Sequence, residues 1–316
     1  MRKYSMIDMQ RVKTYSISER ASKVNVQEHF AGSISAGMLV SELLSALPQQ
    51  LGAESLLKVA AAIVAARKKD RPVVVAMGGH VIKCGLQPVL KSLLAEGMIT
   101  AVAMNGSATI HDYEIALQGA TSEDVASVLH AGDFGFAEET GAGINQALQR
   151  RMGQGIGYGA ALAAEIVEKK LPYADRSLLA ACYEYGVPVT VHVAVGTDII
   201  HQHPTADGAV LGEMSFRDFR LLAAIVADLG DGGVWLNIGS SVIMPEVFLK
   251  ALSVAQNLGH HVDNFTTANF DMIQHYRPTQ NVVRRPTKGT TGYTLIGHHE
   301  INLPLLAAAV LDMKHA

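Results

Sequence analysis

Cysteine is scarce in this chain: Cys84 and Cys182 are the only two in 316 residues. Neither stands in a CxxC pair, and two thiols in so long a chain make no disulfide framework. A reducing cytoplasm is the expected setting. Excess charge of one sign is also missing. A formal net charge of −3 gives no general pull toward nucleic acid or an anionic membrane, so neither partner is expected. A local basic cluster can still take one anionic group. Long apolar runs are absent too, since no stretch reaches the roughly 18 continuous apolar residues of a membrane span. Leu303–Leu311 is short and reads as a buried helix. The opening MRKYSMIDMQRVKTYS has no apolar run after its basic start and does not read as a secretory signal. With no repeat, linker or low-complexity segment, residues 1–316 read as one domain. Residues 1–50 form an extension expected to pack on it or on a neighbouring subunit.

What is present is a globular composition, 49% hydrophobic, with material for a large core. Apolar runs alternate with helical patterns. Strands are predicted at Val73–Met77, Ile99–Met104, Val187–Val195 and Gly233–Ile238, with two short ones at His261–Thr266 and Tyr293–Ile296. Helices are predicted at Leu56–Arg67, Val81–Glu96, Ser122–His130, Gly143–Arg150, Ala160–Lys169, Leu178–Tyr185, Phe216–Leu229 and Pro245–Leu258. The glycine-rich Gly153–Gly159 reads as a mobile connection. Continuous apolar strands separated by helices imply an α/β fold with a parallel sheet covered on both faces. In such sheets ligands sit beyond the carboxyl ends of the strands.

The turns after the strands carry the candidate chemistry. Gly78, Gly79 and His80 follow the first strand, where glycines let backbone N–H groups approach a phosphate. The alternative is a tight turn with exposed His80 and Lys83. Asn105, Gly106 and Ser107 follow the second strand and lead to His111 and Asp112. Adjacent residues on a helix point about 100° apart, so those two make no dyad by spacing alone. The plainer reading is a helix start capped by Ser107. Asp198, His201 and His203 follow the third strand. An HxH on an extended segment turns both rings to one face, so this trio is the candidate set for a divalent metal. Gly239, Ser240 and Ser241 end the fourth strand, before Pro245 and Glu246. Arg284, Arg285 and Lys288 form the densest basic segment, suited to a phosphate or carboxylate. His299 and Glu300 follow the last strand and are placed for proton transfer.

The order of these segments resembles the deoxyhypusine synthase family, which includes homospermidine synthases. The likeness is carried by GGHVIKCGLQPVLKSLLAEGM (Gly78–Met98), ITAVAMNGSATIHD after it, Gly186–Val195, Gly239–Ala251 and HEINLPLLAAAV (His299–Val310). The resemblance implies a Rossmann-like, doubly wound fold and a homotetramer with NAD at subunit interfaces. NAD would lie on Gly78, Gly79, His80, Asn105, Gly106, Ser107, Gly239, Ser240 and Ser241. It further implies oxidation of spermidine, with a lysine carrying the aminobutyl group as an imine to an acceptor amine. The family's lysine lies in a Trp-Gly-Lys context, whereas here the region reads VVRRPTKGTTG and Lys288 is the nearest lysine. The family's acidic residues correspond to Ile110, His111 and Asp112, and its histidine pair to Pro245 and Glu246. The expectation is therefore an NAD-dependent transferase or oxidoreductase on a small amine or polar substrate, but not a true deoxyhypusine synthase. Lys288 would be the imine former, with His111, Asp112, His201 and His299 as the other catalytic candidates. Asp198, Glu246, Arg284, Arg285 and Glu300 would bind substrate. The alternatives are a metal-assisted hydrolase or lyase using His201, His203 and Asp198, and a ligand-binding member without catalysis.

Overall fold

The structure, a computed structural model, describes residues 4–315. Its elements run α1 (Val26–His29), α2 (Val40–Ala46), α3 (Leu51–Lys68), β1 (Val73–Met77), α4 (Gly79–Lys83), α5 (Gln87–Ala95), β2 (Ala101–Asn105) and α6 (Gly106–Gln118). Four helices follow without a strand: α7 (Val125–Val128), α8 (Glu138–Arg151), α9 (Tyr158–Glu168) and α10 (Leu178–Glu184). The alternation then resumes with β3 (Val189–His192), α11 (Gly208–Ala227), β4 (Val234–Ile238), α12 (Ile243–Asn257), β5 (Thr266–Asp271), α13 (Tyr276–Pro278), β6 (Gly292–Ile296) and α14 (His299–His315).

All six strands are parallel, in the order β3-β2-β1-β4-β5-β6. Helices cover both faces. Val73, Val75 and Met77 face a core built with α3, α6, α9, α10 and α14, while Val74 and Ala76 face α11 and α12. On that second face Trp235 stacks on Phe248 with ring centroids 4.1 Å apart. Burial on both sides explains why β1 and β4 are almost wholly apolar. The chain winds outward from β1 to β3, then returns to place β4 beside β1. That reversal opens a crevice at the carboxyl ends of β1 and β4. No helix among the described residues is long and apolar enough to cross a membrane.

Several expected boundaries shift for local reasons. Val81–Glu96 is two helices, because Gly85 takes φ +68° and Pro88 fits only the first turn of α5. The helix after β2 is capped by Asn105, which accepts from the Ala108 N–H at 3.0 Å, not by Ser107. α11 starts eight residues before Phe216, where Asp207 accepts from the Ala209 and Val210 N–H groups. The fifth strand is Thr266–Asp271, not His261–Thr266. Gly259 and Asn264 take left-handed φ of +90° and +58°, which keeps the earlier stretch in a loop. Gly153–Gly159 is in part a packed junction. Gly159 is buried, its N–H bonds Asp218 at 2.9 Å, and a Cβ on it would meet the Val189 carbonyl oxygen at 2.1 Å.

Residues 4–39 form a largely exposed arm. Met6 is 93% and Ile7 85% exposed, and Phe30, Ile34 and Leu39 are exposed as well. The arm is tied to the body by Gly32 N–H to the Ala46 carbonyl at 2.9 Å and by Gln50 to the His29 carbonyl at 3.4 Å.

Candidate functional site

The turns after four strands meet at the carboxyl end of the sheet. Their closeness can be measured from their glycines. A Cβ on Gly78 would lie 2.2 Å from the Gly239 carbonyl oxygen, and one on Gly79 would lie 2.3 Å from Ser107 Oγ. One on Gly106 would lie 1.9 Å from Asp198 Oδ2, and one on Gly239 would lie 2.7 Å from His299 Nε2. These glycines therefore let the turns pack on one another. Gly78, Gly79, His80, Gly239, Ser240 and Ser241 stand at the β1–β4 crevice, with Asn105, Gly106 and Ser107 beside them on the β2 side. Ser240 is committed to its own helix, accepting from the Met244 N–H at 3.1 Å.

Next to this junction lies a cavity of about 520 Å³, lined by Lys83, Ser107, His111, Glu114, Thr121 and Asp198 among others. Its size is that of a small-molecule site. α6 supplies Ser107, His111 and Glu114, and the loop after β3 supplies Asp198. Thr121, from the excursion between α6 and α8, and Thr140, from α8, help close the outer side.

The polar wall has defined geometry. His111 Nδ1 lies 2.7 Å from Thr121 Oγ1, and the Thr121 hydroxyl donates to Glu114 Oε2 at 2.5 Å. The Thr140 hydroxyl donates to the other Glu114 oxygen at 3.0 Å. Burial pushes the Glu114 carboxyl up, but the nearby His111 ring, 3.8 Å away, and hydrogen bonds from Thr121 and Thr140 outweigh it and hold the group below its ordinary value. Asp198 behaves oppositely. Its side chain is 7% exposed, Oδ2 has no hydrogen-bond partner, and burial pushes the carboxyl up to about 6. His201 stands behind it. Its Nδ1 accepts from the Gly196 N–H at 3.1 Å, which leaves the ring proton on Nε2, facing Asp198 Oδ2 at 3.8 Å.

Other expected site residues are elsewhere. Asp112 is wholly buried and accepts from Ser177 Oγ at 2.6 Å and from the Leu178 and Leu179 N–H groups at 2.8 and 2.9 Å. It fastens the start of α10 and does not line the cavity. His203 bonds Thr205 and Glu138 at 2.8 and 3.2 Å, away from His201. The segment is a helical turn at Ile199–His201, not extended, so the two rings diverge. Among the described residues no three His, Cys, Asp or Glu side chains are placed to hold a metal ion, and the metal trio is withdrawn on that geometry. Lys288 is 84% exposed and 3.6 Å from Asp263, which precedes β5, so it lies at the amino end of the sheet. It lines a second cavity of about 540 Å³ with Arg284, and no imine can form from it in the first cavity. Arg285 bonds Asn281 at 2.8 Å, and Glu246 is held by Lys250, Arg277 and Asn281. Neither lines the first cavity.

His299 opens α14, buried beside Gly239, with its ring 5.8 Å from that of His80. Burial lowers its pKa. Glu300 lies 3.8 Å from His298 and accepts from the Cys84 thiol at 3.7 Å. Both residues border the β1–β4 crevice side and not the cavity. Lys83, Glu114, Thr121 and Thr140 were not singled out from sequence as site residues. Glu114 was accessible, because it sits three residues after His111 on one helical face. Thr121 and Thr140 arrive from a loop and a distant helix.

No protein-family model and no curated protein matches this chain. Solved structures do. A proposed LOR/SDH protein from Methanococcus maripaludis S2 superposes with a TM-score of 0.54 at 14% identity, covering 84% of this chain and 71% of that one. AgrE, solved in a ternary complex with ornithine and NAD⁺, gives 0.55 at 15% identity over 83% of this chain. The match takes in 33% of AgrE, so this chain corresponds to about a third of that protein. A proposed deoxyhypusine synthase from Entamoeba histolytica gives 0.51 at 9% identity, covering 88% of this chain and 95% of that one. The fold is deoxyhypusine-synthase-like. It is also Rossmann-type in strand order, as expected from the segments that carried the resemblance. Fold alone assigns no activity.

The residues present suit a dinucleotide in kind. Ser107 Oγ and Lys83 offer a phosphate its donors at the cavity wall, beside the Asp198 carboxylate at the start of α6. Asp198 lines the cavity, while its unpartnered Oδ2 is buried against Gly106 and His201.

Proposed function

We propose that this chain is a nicotinamide-dinucleotide-dependent oxidoreductase or transferase that acts on a small polar amine in the His111 cavity. One observation carries the reading: the cavity at the carboxyl end of a Rossmann-ordered sheet joins the Ser107 and Lys83 donors to three acidic groups, Glu114, Glu123 and Asp198. Ser107 and Lys83 would hold the dinucleotide phosphate. The dinucleotide, when bound, would supply a hydride acceptor. The chain's own work is to hold the substrate ammonium or hydroxyl on Asp198 and to take up a proton at His111. The cavity walls exclude bulk water around that proton.

The exposed arm of residues 4–39 supports assembly with further copies of the chain; a tetramer is the count that the family resemblance implies.

The test is calorimetric titration with NAD⁺ and NADH, followed by a screen of diamines and amino acids for dinucleotide reduction. Binding and turnover are expected, and His111→Ala should abolish turnover while retaining binding. Failure of every nicotinamide dinucleotide to bind would remove the reading. Binding without turnover of any amine would leave a ligand-binding protein.

A further inference from the structure

His111 sits between two kinds of partner. On one side is a fixed polar chain, and on the other the open cavity. The chain has three members within hydrogen-bond reach: Nδ1 of His111 to Thr121 Oγ1 at 2.7 Å, and Thr121 Oγ1 to Glu114 Oε2 at 2.5 Å. A hydroxyl has one proton and donates it once. Glu114 is an ionised acceptor here, since Thr140 donates to its second oxygen and the net effect of its surroundings favours the charged form. Thr121 must therefore spend its proton on Glu114. Its oxygen is left as an acceptor, and among the described residues the only donor facing it is the His111 ring at Nδ1. The proton of the neutral imidazole is thus placed on Nδ1, and Nε2 carries the lone pair.

The ring edge that bears Nε2 faces the β1 turn. His111 Cδ2, the neighbour of Nε2, would lie 2.9 Å from a Cβ on Gly79. Nε2 has no hydrogen-bond partner among the described residues and His111 lines the cavity, so the lone pair is open to a bound molecule. The other charged groups on this cavity are Lys83 from α4, Glu123 from the excursion and Asp198 from the loop after β3.

We propose that Thr121 and Glu114 are positioning residues that lock His111 as the Nδ1–H tautomer, so that Nε2 accepts a proton from the ligand in the cavity. As Nε2 takes that proton, the positive charge formed on the ring is stabilised through Thr121 by the Glu114 carboxylate. The role as proton acceptor rests on the proposed function, whereas the tautomer is a property of the free chain and is measured without any ligand. Sequence spacing offers His111 and Glu114 as neighbours, but the hydroxyl that joins them is ten residues from the histidine.

The test uses the full chain labelled with ¹⁵N-histidine, with His111 assigned by comparison with His111→Gln. Long-range ¹H–¹⁵N spectra above the ring's pKa should show the Nδ1–H form for His111. Thr121→Val, nearly isosteric, should move it to the Nε2–H form or to a mixture, and Thr121→Ser should restore it. Glu114→Gln should weaken the lock as well, which provides a second variant if Thr121→Val fails to fold. An Nε2–H ring in the wild type, or an unchanged ring in both Thr121→Val and Glu114→Gln, overturns the proposal. If turnover is found, Thr121→Val should lower kcat by about 10- to 100-fold, up to the lower end of full general-base effects because the base itself remains, with KM nearly unchanged. If no dinucleotide binds but the tautomer behaves as stated, the functional reading falls and the lock stands.

Discussion

Asp198 Oδ2 and His201 Nε2 face each other at 3.8 Å, and neither atom has a hydrogen-bond partner among the described residues. The gap is too long for a hydrogen bond. Two buried polar groups are thus left incomplete beside a cavity, which is costly unless something else completes them.

The cost has a pH signature. Burial raises the Asp198 carboxyl from 3.8 to about 6. Below 3.8 the group is protonated both folded and unfolded, so it takes nothing from stability. Between those values the unfolded chain ionises first, and stability falls as pH rises. Above about 6 the loss is complete, on the order of 3 kcal/mol. Asp198→Asn should therefore stabilise the free protein at pH 8 by up to about 3 kcal/mol and by little at pH 4. Urea denaturation at the two pH values measures this. Equal gains at both would show that ionisation is not the cause.

Gly106 is where the same carboxylate meets the backbone. An alanine there would place its Cβ 1.9 Å from Asp198 Oδ2 and 2.6 Å from its Cγ. Gly106 has an ordinary helical φ, so the penalty comes from that side chain alone. Gly106→Ala should cost about 1–3 kcal/mol, as overpacking does. In Asp198→Ala the clash is gone and the cost should nearly vanish. A double-mutant cycle that shows the two changes to be additive would contradict this contact.

Asp112 separates structural from chemical importance. Three donors converge on its carboxylate, and the α10 start depends on them. Asp112→Ala would leave those donors buried without acceptors. A loss of about 2–4 kcal/mol is expected in urea denaturation. Asp112→Asn should cost less, because one amide oxygen remains as an acceptor. Ligand affinity, measured where both variants are folded, should be unchanged.

How far the sequence carried this is visible residue by residue. β1 and β4 were legible because both faces are buried, which forces an unbroken apolar run. β5 was misplaced because Thr267 and Asn269 are buried polar residues satisfied by the Val282 carbonyl and by Asn237, so its pattern reads as a loop. The convergence of the turns followed from the parallel sheet, and with it His111, Ser107 and Asp198 at one cavity. Lys288 was misjudged because it was matched by distance from the last helix. That match overrode the strand expected at Tyr293–Ile296, which already put Lys288 before a strand and so at the sheet's other end. His203 was misjudged because HxH projects both rings together only if the chain is extended there.

Lys288 gives the sharpest negative prediction. Its ammonium is 84% exposed with a single loose partner, Asp263. Lys288→Ala should change stability by no more than about 0.5 kcal/mol. It should leave binding in the first cavity and any turnover at the wild-type level. Borohydride treatment with an amine-derived carbonyl substrate should label no adduct at Lys288. A specific adduct there would restore the imine role that its position denies it.

The arm makes the remaining prediction. Met6, Ile7, Met9, Ile17 and Phe30 are exposed along one continuous segment, while the body that follows is well packed. Apolar side chains concentrated this way have no stabilising burial within one chain, and such surfaces mark association sites. If the arm docks on another copy, its removal takes away the contact but leaves the sheet and both cores intact. A chain beginning at residue 40 should therefore unfold with cooperativity like that of the full chain, yet sediment as a smaller oligomer, with fewer chains per particle. Analytical ultracentrifugation of the two forms at matched concentration decides the point. The same number of chains per particle in both forms would mean that any assembly is held by the body, through surfaces such as the exposed Phe216 and Leu221 on α11.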